Sequence, residues 1–367
     1  MAGGARLPQD RSGMTEPYPT DPPRARVPLM GIVATLVGTA LFVFSVRQAG
    51  LGQIVDNVQR LGWAFLGIVV VAGLRFAARG MAWRSCLEGS HGLRPWLAFR
   101  AVVAGDTLGN LTPLSILVSE PAKALFASDQ EPLSRTLPAL AVENLFYSLS
   151  AAVVIAGGAA ALLPSLRSTE TWGLAGVALV TTLIVLISVA HTVIWKRVRV
   201  ATACVGLVQR RWGSWDRLAR WAERAQLMEE RVHALYPREP GRLARLAGWE
   251  LTFHALAMVE VYMVLSLIST GAPTVVEVFL FESGNRFINV VFKVVPLRLG
   301  VDEAGTAVVA ELLGFGSAAG VTLAIVRKAR QLVWMGVGGL FLLGRGLSVD
   351  RVLADRNVRG RDDQPHA

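Results

Sequence analysis

Six stretches of the chain, at 29–46, 63–83, 137–163, 171–195, 243–270 and 317–344, are almost continuously apolar. Several reach the roughly 20 residues that a helix needs to cross a bilayer core. In lipid the backbone must satisfy its own hydrogen bonds, so such segments are read as spanning helices and the chain as an all-α polytopic membrane protein. Composition agrees. Of 367 residues, 53% are hydrophobic and only 17% charged, against roughly 25% charged in a soluble domain.

The net charge of +10 therefore reads as cytoplasmic loop bias rather than a nucleic-acid surface, and no nucleic-acid partner is expected. Cys86 and Cys204 stand alone and the five histidines are scattered. No metal site and no cofactor are expected. Residues 1–28 hold six prolines and no periodic apolar pattern, and are read as a disordered cytoplasmic N-terminus. The run "PLMGIVATLVGTALFVFSV" that follows is longer than a signal-peptide core and is read as an uncleaved first span.

The arginines set the direction of the spans. The segment 196–248 carries twelve basic residues against five acidic ones, which places it in the cytoplasm. It contains "RLARWAERAQLMEERVHAL", an amphipathic helix with Leu218, Trp221, Ala225, Met228 and Val232 on one face. That face suits either the inner leaflet or the protein's own helices. With this loop inside, both termini lie in the cytoplasm, including a disordered tail at 346–367. The main domain then runs over 29–345 in a bacterial cytoplasmic membrane.

Two further regions, 95–127 and 275–313, are apolar but broken by Pro, Asn, Gly and charges. By parity, the first enters and leaves on the cytoplasmic side and the second on the outer side. They are thus expected as two oppositely oriented re-entrant helical hairpins beside six spanning helices. Their sequences also align: "PLSILVSEPAKALF" (113–126) lies without gaps on "PLRLGVDEAGTAVV" (296–309), pairing Pro113 with Pro296 and Glu120 with Glu303. At the same offset "LAVEN" (140–144) meets "LAIVR" (323–327). An inverted repeat with broken helices meeting near the midplane is a recurrent transporter design. Pro113 and Pro296 are expected to break their helices. Ser119 and Asp302 are expected as N-caps, with Glu120 and Glu303 in the first turns. Glu120, Glu143, Glu282, Asp302 and Glu303 are the acids expected to pin the hairpins or carry protons.

These residues resemble a known family. "PLRLGVDEAG", with Arg327 downstream in "LAIVRKARQLVW", is similar to the Pro…Gly-x-x-Glu and Arg of the lysylphosphatidylglycerol synthase transmembrane (flippase-like) family. "NLTPLSILVSEPAKALF" resembles its first-half element, with Lys123 in place of Arg, while Ser119, Asn144 and Tyr147 depart from that pattern. The resemblance spans about residues 30–345. Only a short tail follows residue 345, so lipid translocation without lysine transfer is what it implies.

Polar residues inside apolar stretches are costly, so each is a functional candidate. Arg79 is expected to snorkel to the inner interface and Arg75 to face a cavity. Glu250 is expected to be solvated, Glu260 to lie within the membrane and His254 to serve packing. "FESGNRFINVVFK" places Glu282, Asn285, Arg286, Asn289 and Lys293 on one polar stripe. Arginine offers phosphate a planar donor fork. Arg286, Arg298 and Arg327 are therefore the leading head-group ligands, with Arg75, Asn110, Lys123, Asn285 and Lys293 lining the same cavity. The expected partner is a membrane lipid with a polar or phosphate-bearing head group. The rival readings are an intramembrane lipid-modifying enzyme and a non-transporting subunit that docks a lipid-synthesis enzyme.

Overall fold

The computed structural model describes residues 51–87, 92–111, 115–166, 216–269, 271–292, 298 and 300–345, with isolated positions between 44 and 47 and between 178 and 204. Every regular element among them is helical: α1 (Leu51–Leu61), α2 (Ala64–Cys86), α3 (Pro95–Asn110), α4 (Ser115–Phe126), α5 (Leu133–Leu166), α6 (Asp216–Leu235), α7 (Pro240–Ile268), α8 (Val275–Val291), α9 (Val301–Leu312) and α10 (Ser317–Arg345). The expected spans at 29–46 and 171–195, both termini, and Pro113, Lys293 and Pro296 lie outside the described residues.

Among the described residues three helices, α2, α5 and α7, are long and apolar enough to cross a membrane. α10 has the length, 29 residues, but carries Arg327, Lys328 and Arg330 along its middle. By contrast α3, α4, α8 and α9 have 16, 12, 17 and 12 residues, short of the roughly 20 a span requires.

Local sequence explains the helix starts. Pro95 and Pro240 occupy the first turns of α3 and α7, where the missing N–H costs nothing. At α8, "TVVE" closes a capping box. Thr274 Oγ1 accepts from the Glu277 N–H at 3.3 Å, and Glu277 Oε2 accepts from the Thr274 N–H at 2.6 Å. The start of α9 differs from the sequence expectation. Gly300, at φ 79°, is the N-cap, and Glu303 Oε2 accepts from its N–H at 2.7 Å, leaving Asp302 inside the first turn. In α4 the helix already begins at Ser115, so Ser119 is no cap and Glu120 lies beyond the first turn.

A shift of 183 residues, the one that carries Pro113 onto Pro296, also carries α2 onto α7, α3 onto α8, α4 onto α9 and α5 onto α10. Packing follows the same rule. α3 pairs with α4 and α8 with α9; α2 packs on α3 as α7 does on α8; α10 packs on α3 as α5 does on α8. The two equivalent helices α2 and α7 also pack on each other. They run antiparallel: Gly67 faces Met263, Arg75 meets Glu260, and Arg79 lies over Phe253.

Close approach across the repeat depends on glycines, Gly338 and Gly158 among them. A Cβ at Gly338 of α10 would strike Thr107 Oγ1 and the Val103 carbonyl of α3, and one at Gly158 of α5 would strike the Ser283 side chain of α8. Small residues let helix backbones come together where lipid supplies no hydrophobic drive. Gly338→Leu should therefore destabilise the protein by about 1–3 kcal/mol through overpacking, read as a lower thermal midpoint in detergent.

Among the described residues two large apolar cores result, with a small third cluster of Ile54, Ala318 and Val321. One surrounds the α3–α4 pair and includes Trp83, Leu97, Val118, Phe126 and Leu140; the other surrounds α8–α9 and includes Ile68, Val261, Leu265, Phe281 and Leu323. α1, which the sequence reading did not anticipate, inserts Ile54, Asn57 and Leu61 on one face, and Asn57 Nδ2 donates to Thr322 Oγ1 at 3.2 Å. α6 packs against α5. Tyr236, just beyond its end, stacks near Phe146. The end of this amphipathic helix thus meets the protein's own helices; the side chains of Leu218, Trp221 and Ala225 lie outside the described set.

Candidate functional site

The polar side chains gather between the two cores. On α2, Arg75 and Arg79 lie between Ile68 of one core and Ala82 of the other. On α7, Glu250, His254 and Glu260 lie between Leu246 and Val261, and on α10, Arg327, Lys328 and Arg330 lie between Val326 and Leu342. α2, α7 and α10 pack on one another, so residues remote in sequence meet.

Glu260 is the hub. Its side chain has no exposure and is engaged by Arg75 of α2 at 2.9 Å and by Arg330 and Arg327 of α10 at 2.6 and 3.7 Å. Glu282 of α8 is the second acid. Arg286, one turn on, reaches it at 2.6 Å, and Arg327 reaches it at 3.3 Å. Arg327 thus joins two buried carboxylates on different helices. Arg286 also donates to Tyr147 Oη at 2.9 Å. Where the family pattern has an acid, Tyr147 still offers Arg286 an acceptor.

Phe253 forms the apolar floor. Arg75 and Arg286 sit 4.7 and 4.8 Å from its ring centroid, and Arg79 sits 4.0 Å from that of Tyr147. Such stacking offsets part of the desolvation of a guanidinium. Arg79 does not snorkel outward as expected. Its guanidinium lies 2.5 Å from Glu143, a buried acid of α5, and donates to Asn144 Oδ1 at 3.2 Å. Glu250, expected to be solvated, is only 3% exposed. The reason is tertiary: α5 packs on α7 there and brings Ser150 against Glu250.

The other sequence candidates form two satellite groups, one at each short helix pair. In the first, Lys123 pairs with Glu120 at 2.8 Å and Asn110 donates to Asp106 at 2.8 Å. In the second, Lys328 joins Asp302 at 2.9 Å and Glu303 at 3.7 Å, and Arg298 reaches Asp302 at 3.3 Å. Arg298 has φ 46°, a left-handed conformation unusual outside glycine. It therefore belongs with the start of α9 and not with Arg286 and Arg327. Glu303 is likewise the partner of Lys328, not of Arg327. Asn285 accepts through its backbone carbonyl from Asn289 Nδ2 at 2.7 Å.

Sequence reasoning missed Ser150. Its Oγ lies 2.9 Å from the Tyr147 carbonyl, 3.0 Å from His254 Nε2 and 3.2 Å from Glu250 Oε2. The order is unsuited to nucleophilic catalysis, because the acid touches the serine and leaves His254 Nδ1 unpartnered. Among the described residues no group of His, Cys, Asp and Glu could hold a metal ion.

A helical membrane protein with a buried Arg–Glu cluster between two apolar cores is the class these features define. The chain matches the family model described as lysylphosphatidylglycerol synthase TM region over residues 31–339, and it belongs to that family. Membership points to a membrane function related to lipid. No curated protein and no solved structure matches the chain.

Proposed function

We propose that the protein translocates a polar lipid, moving a phosphate-bearing or polyprenyl-linked head group through the arginine cluster. In this reading six helices span the cytoplasmic membrane, the pairs α3–α4 and α8–α9 are re-entrant hairpins, and both termini are cytoplasmic. Support for the inverted repeat comes from the antiparallel packing of the equivalent helices α2 and α7 and from helices too short to span alone.

One observation carries the proposal. Arg75, Arg286 and Arg327 each keep a buried guanidinium nitrogen without a hydrogen-bond partner: Nε, Nη2 and Nη1 respectively. Buried donors are normally satisfied, and charged ones strongly favour an oxyanion. Five arginines (75, 79, 286, 327, 330) form ion pairs with three glutamates (143, 260, 282) in this region, so positive charge remains available to an anionic head group. A lipid phosphate would compete with Glu260 and Glu282 for the same guanidiniums. That competition gives bound and free states different ion-pair sets, the differential binding that any conformational shift requires.

Purified protein in liposomes tests this. Fluorescent anionic phospholipid placed in one leaflet should cross faster than in protein-free vesicles, with a neutral glycerolipid as control. Equal rates with and without protein across a panel of phosphate-bearing and polyprenyl lipids would overturn the reading.

A further inference from the structure

α5 and α7 share a second polar group that the arginine cluster leaves aside. Glu250 of α7 is buried, and among the described residues no cation forms an ion pair with it. Its Oε2 lies 3.2 Å from Ser150 Oγ of α5, a hydroxyl also 2.9 Å from the Tyr147 carbonyl of its own helix, while Oε1 has no partner. One turn further along α7, His254 Nε2 lies 3.0 Å from the same hydroxyl, and Nδ1 is also unpartnered. A single hydroxyl therefore bridges a carboxyl and an imidazole across two packed helices.

The surroundings explain why the group is not simply another ion pair. α2 presents Arg75, Arg79 and Cys86, α5 presents Glu143 and Tyr147, and α8 presents Glu282 and Arg286. Each of these arginines already has an acid: Arg79 has Glu143, Arg286 has Glu282 and Arg75 has Glu260. From α10, Arg327 and Arg330 engage Glu260, six positions beyond His254 on α7 itself. A buried carboxyl left with one neutral donor is costly in its charged form, and a shared proton removes that cost.

We propose that Glu250, Ser150 and His254 form a proton-binding site shared by α5 and α7. In the transfer step the protonated Glu250 carboxyl donates to Ser150 Oγ, and the hydroxyl turns from the Tyr147 carbonyl toward His254 Nε2. The serine takes the Glu250 proton as it gives its own to the imidazole. The result is a carboxylate, an intact serine and an imidazolium, with no heavy-atom bond changed. The reverse step restores the neutral pair. The site holds α5 to α7 through Ser150, so its protonation state acts on the contact between the two halves of the repeat. Only the use of that contact to couple protons to lipid movement rests on the translocation reading.

The test is an infrared titration of the purified full chain, assigning the Glu250 carboxyl by its loss in Glu250→Gln and following His254 by ¹⁵N NMR. Both groups should titrate together in the wild type. Ser150→Ala should separate their midpoints by about one pH unit or more, the level at which coupled sites become distinguishable, and Ser150→Thr should restore the joint titration. A Glu250 carboxyl whose midpoint is the same in wild type, Ser150→Ala and His254→Gln would overturn the proposal. Should Glu250→Gln fail to fold, the Ser150 pair still decides the matter through the His254 signal, which must move with Ala and return with Thr. Joint titration in a protein that moves no lipid would support the proton site and refute the translocation reading.

Discussion

Glu260→Gln should cost about 3–5 kcal/mol of stability, the usual penalty for removing one partner of a buried ion pair. Arg75 and Arg330 each have Glu260 as their ion-pair partner, whereas Arg327 keeps Glu282. Two guanidiniums would then remain inside the protein without a counter-charge. The triple change Glu260→Leu, Arg75→Leu and Arg330→Leu removes acid and stranded cations together, and should recover most of the loss, as apolar replacements of buried ion pairs often do. Lipid transfer should not return with stability, because Arg75 is one of the three arginines with a free donor. Thermal midpoints in detergent, read beside transfer rates in liposomes, separate the two effects. A Glu260→Gln protein that melts like the wild type would remove Glu260 from its place as the hub.

Arg327→Ala should behave in the opposite way, keeping the fold and losing transfer. Without Arg327, Glu282 retains Arg286 at 2.6 Å and Glu260 retains Arg75 and Arg330, so no buried acid is stranded. A hydrogen bond to a charged group contributes about 1.5–3 kcal/mol, so transfer should fall about ten- to 150-fold. Arg286→Ala should act similarly, since Glu282 keeps Arg327. Lysine at 327 restores charge without the planar fork and should recover only part of the rate. Adding Glu303→Gln to Arg327→Ala should not rescue transfer, and should lower stability further. Glu303 accepts from the Gly300 N–H at the start of α9 and lies 3.7 Å from Lys328. Wild-type transfer by Arg327→Ala would take Arg327 out of the head-group path.

Much of this architecture was legible in the residues. The apolar runs marked α2, α5, α7 and α10 to within a few residues, because in lipid the length and apolarity of a stretch decide its conformation. The 183-residue offset was also written in the chain, in Pro113 and Pro296 and in "LAVEN" and "LAIVR". Arg286, Arg327, Arg75 and Glu282 stood out by type alone, since charge inside an apolar run is rare without purpose. α1 escaped because Ile54, Asn57 and Leu61 mark a face only three residues wide.

The sequence by itself thus determined that the protein is helical, lives in a membrane and buries several arginines. It did not determine which acid each arginine would meet. Along one helix, spacing decides a pair such as Glu282 with Arg286, four residues apart. Between helices, the partner depends on crossing position and rotation, which side chains across the whole interface set together. Hence Arg327 went to Glu260 and Glu282 and not to Glu303, Arg79 turned inward to Glu143, and Ser150 came to bridge Glu250 and His254.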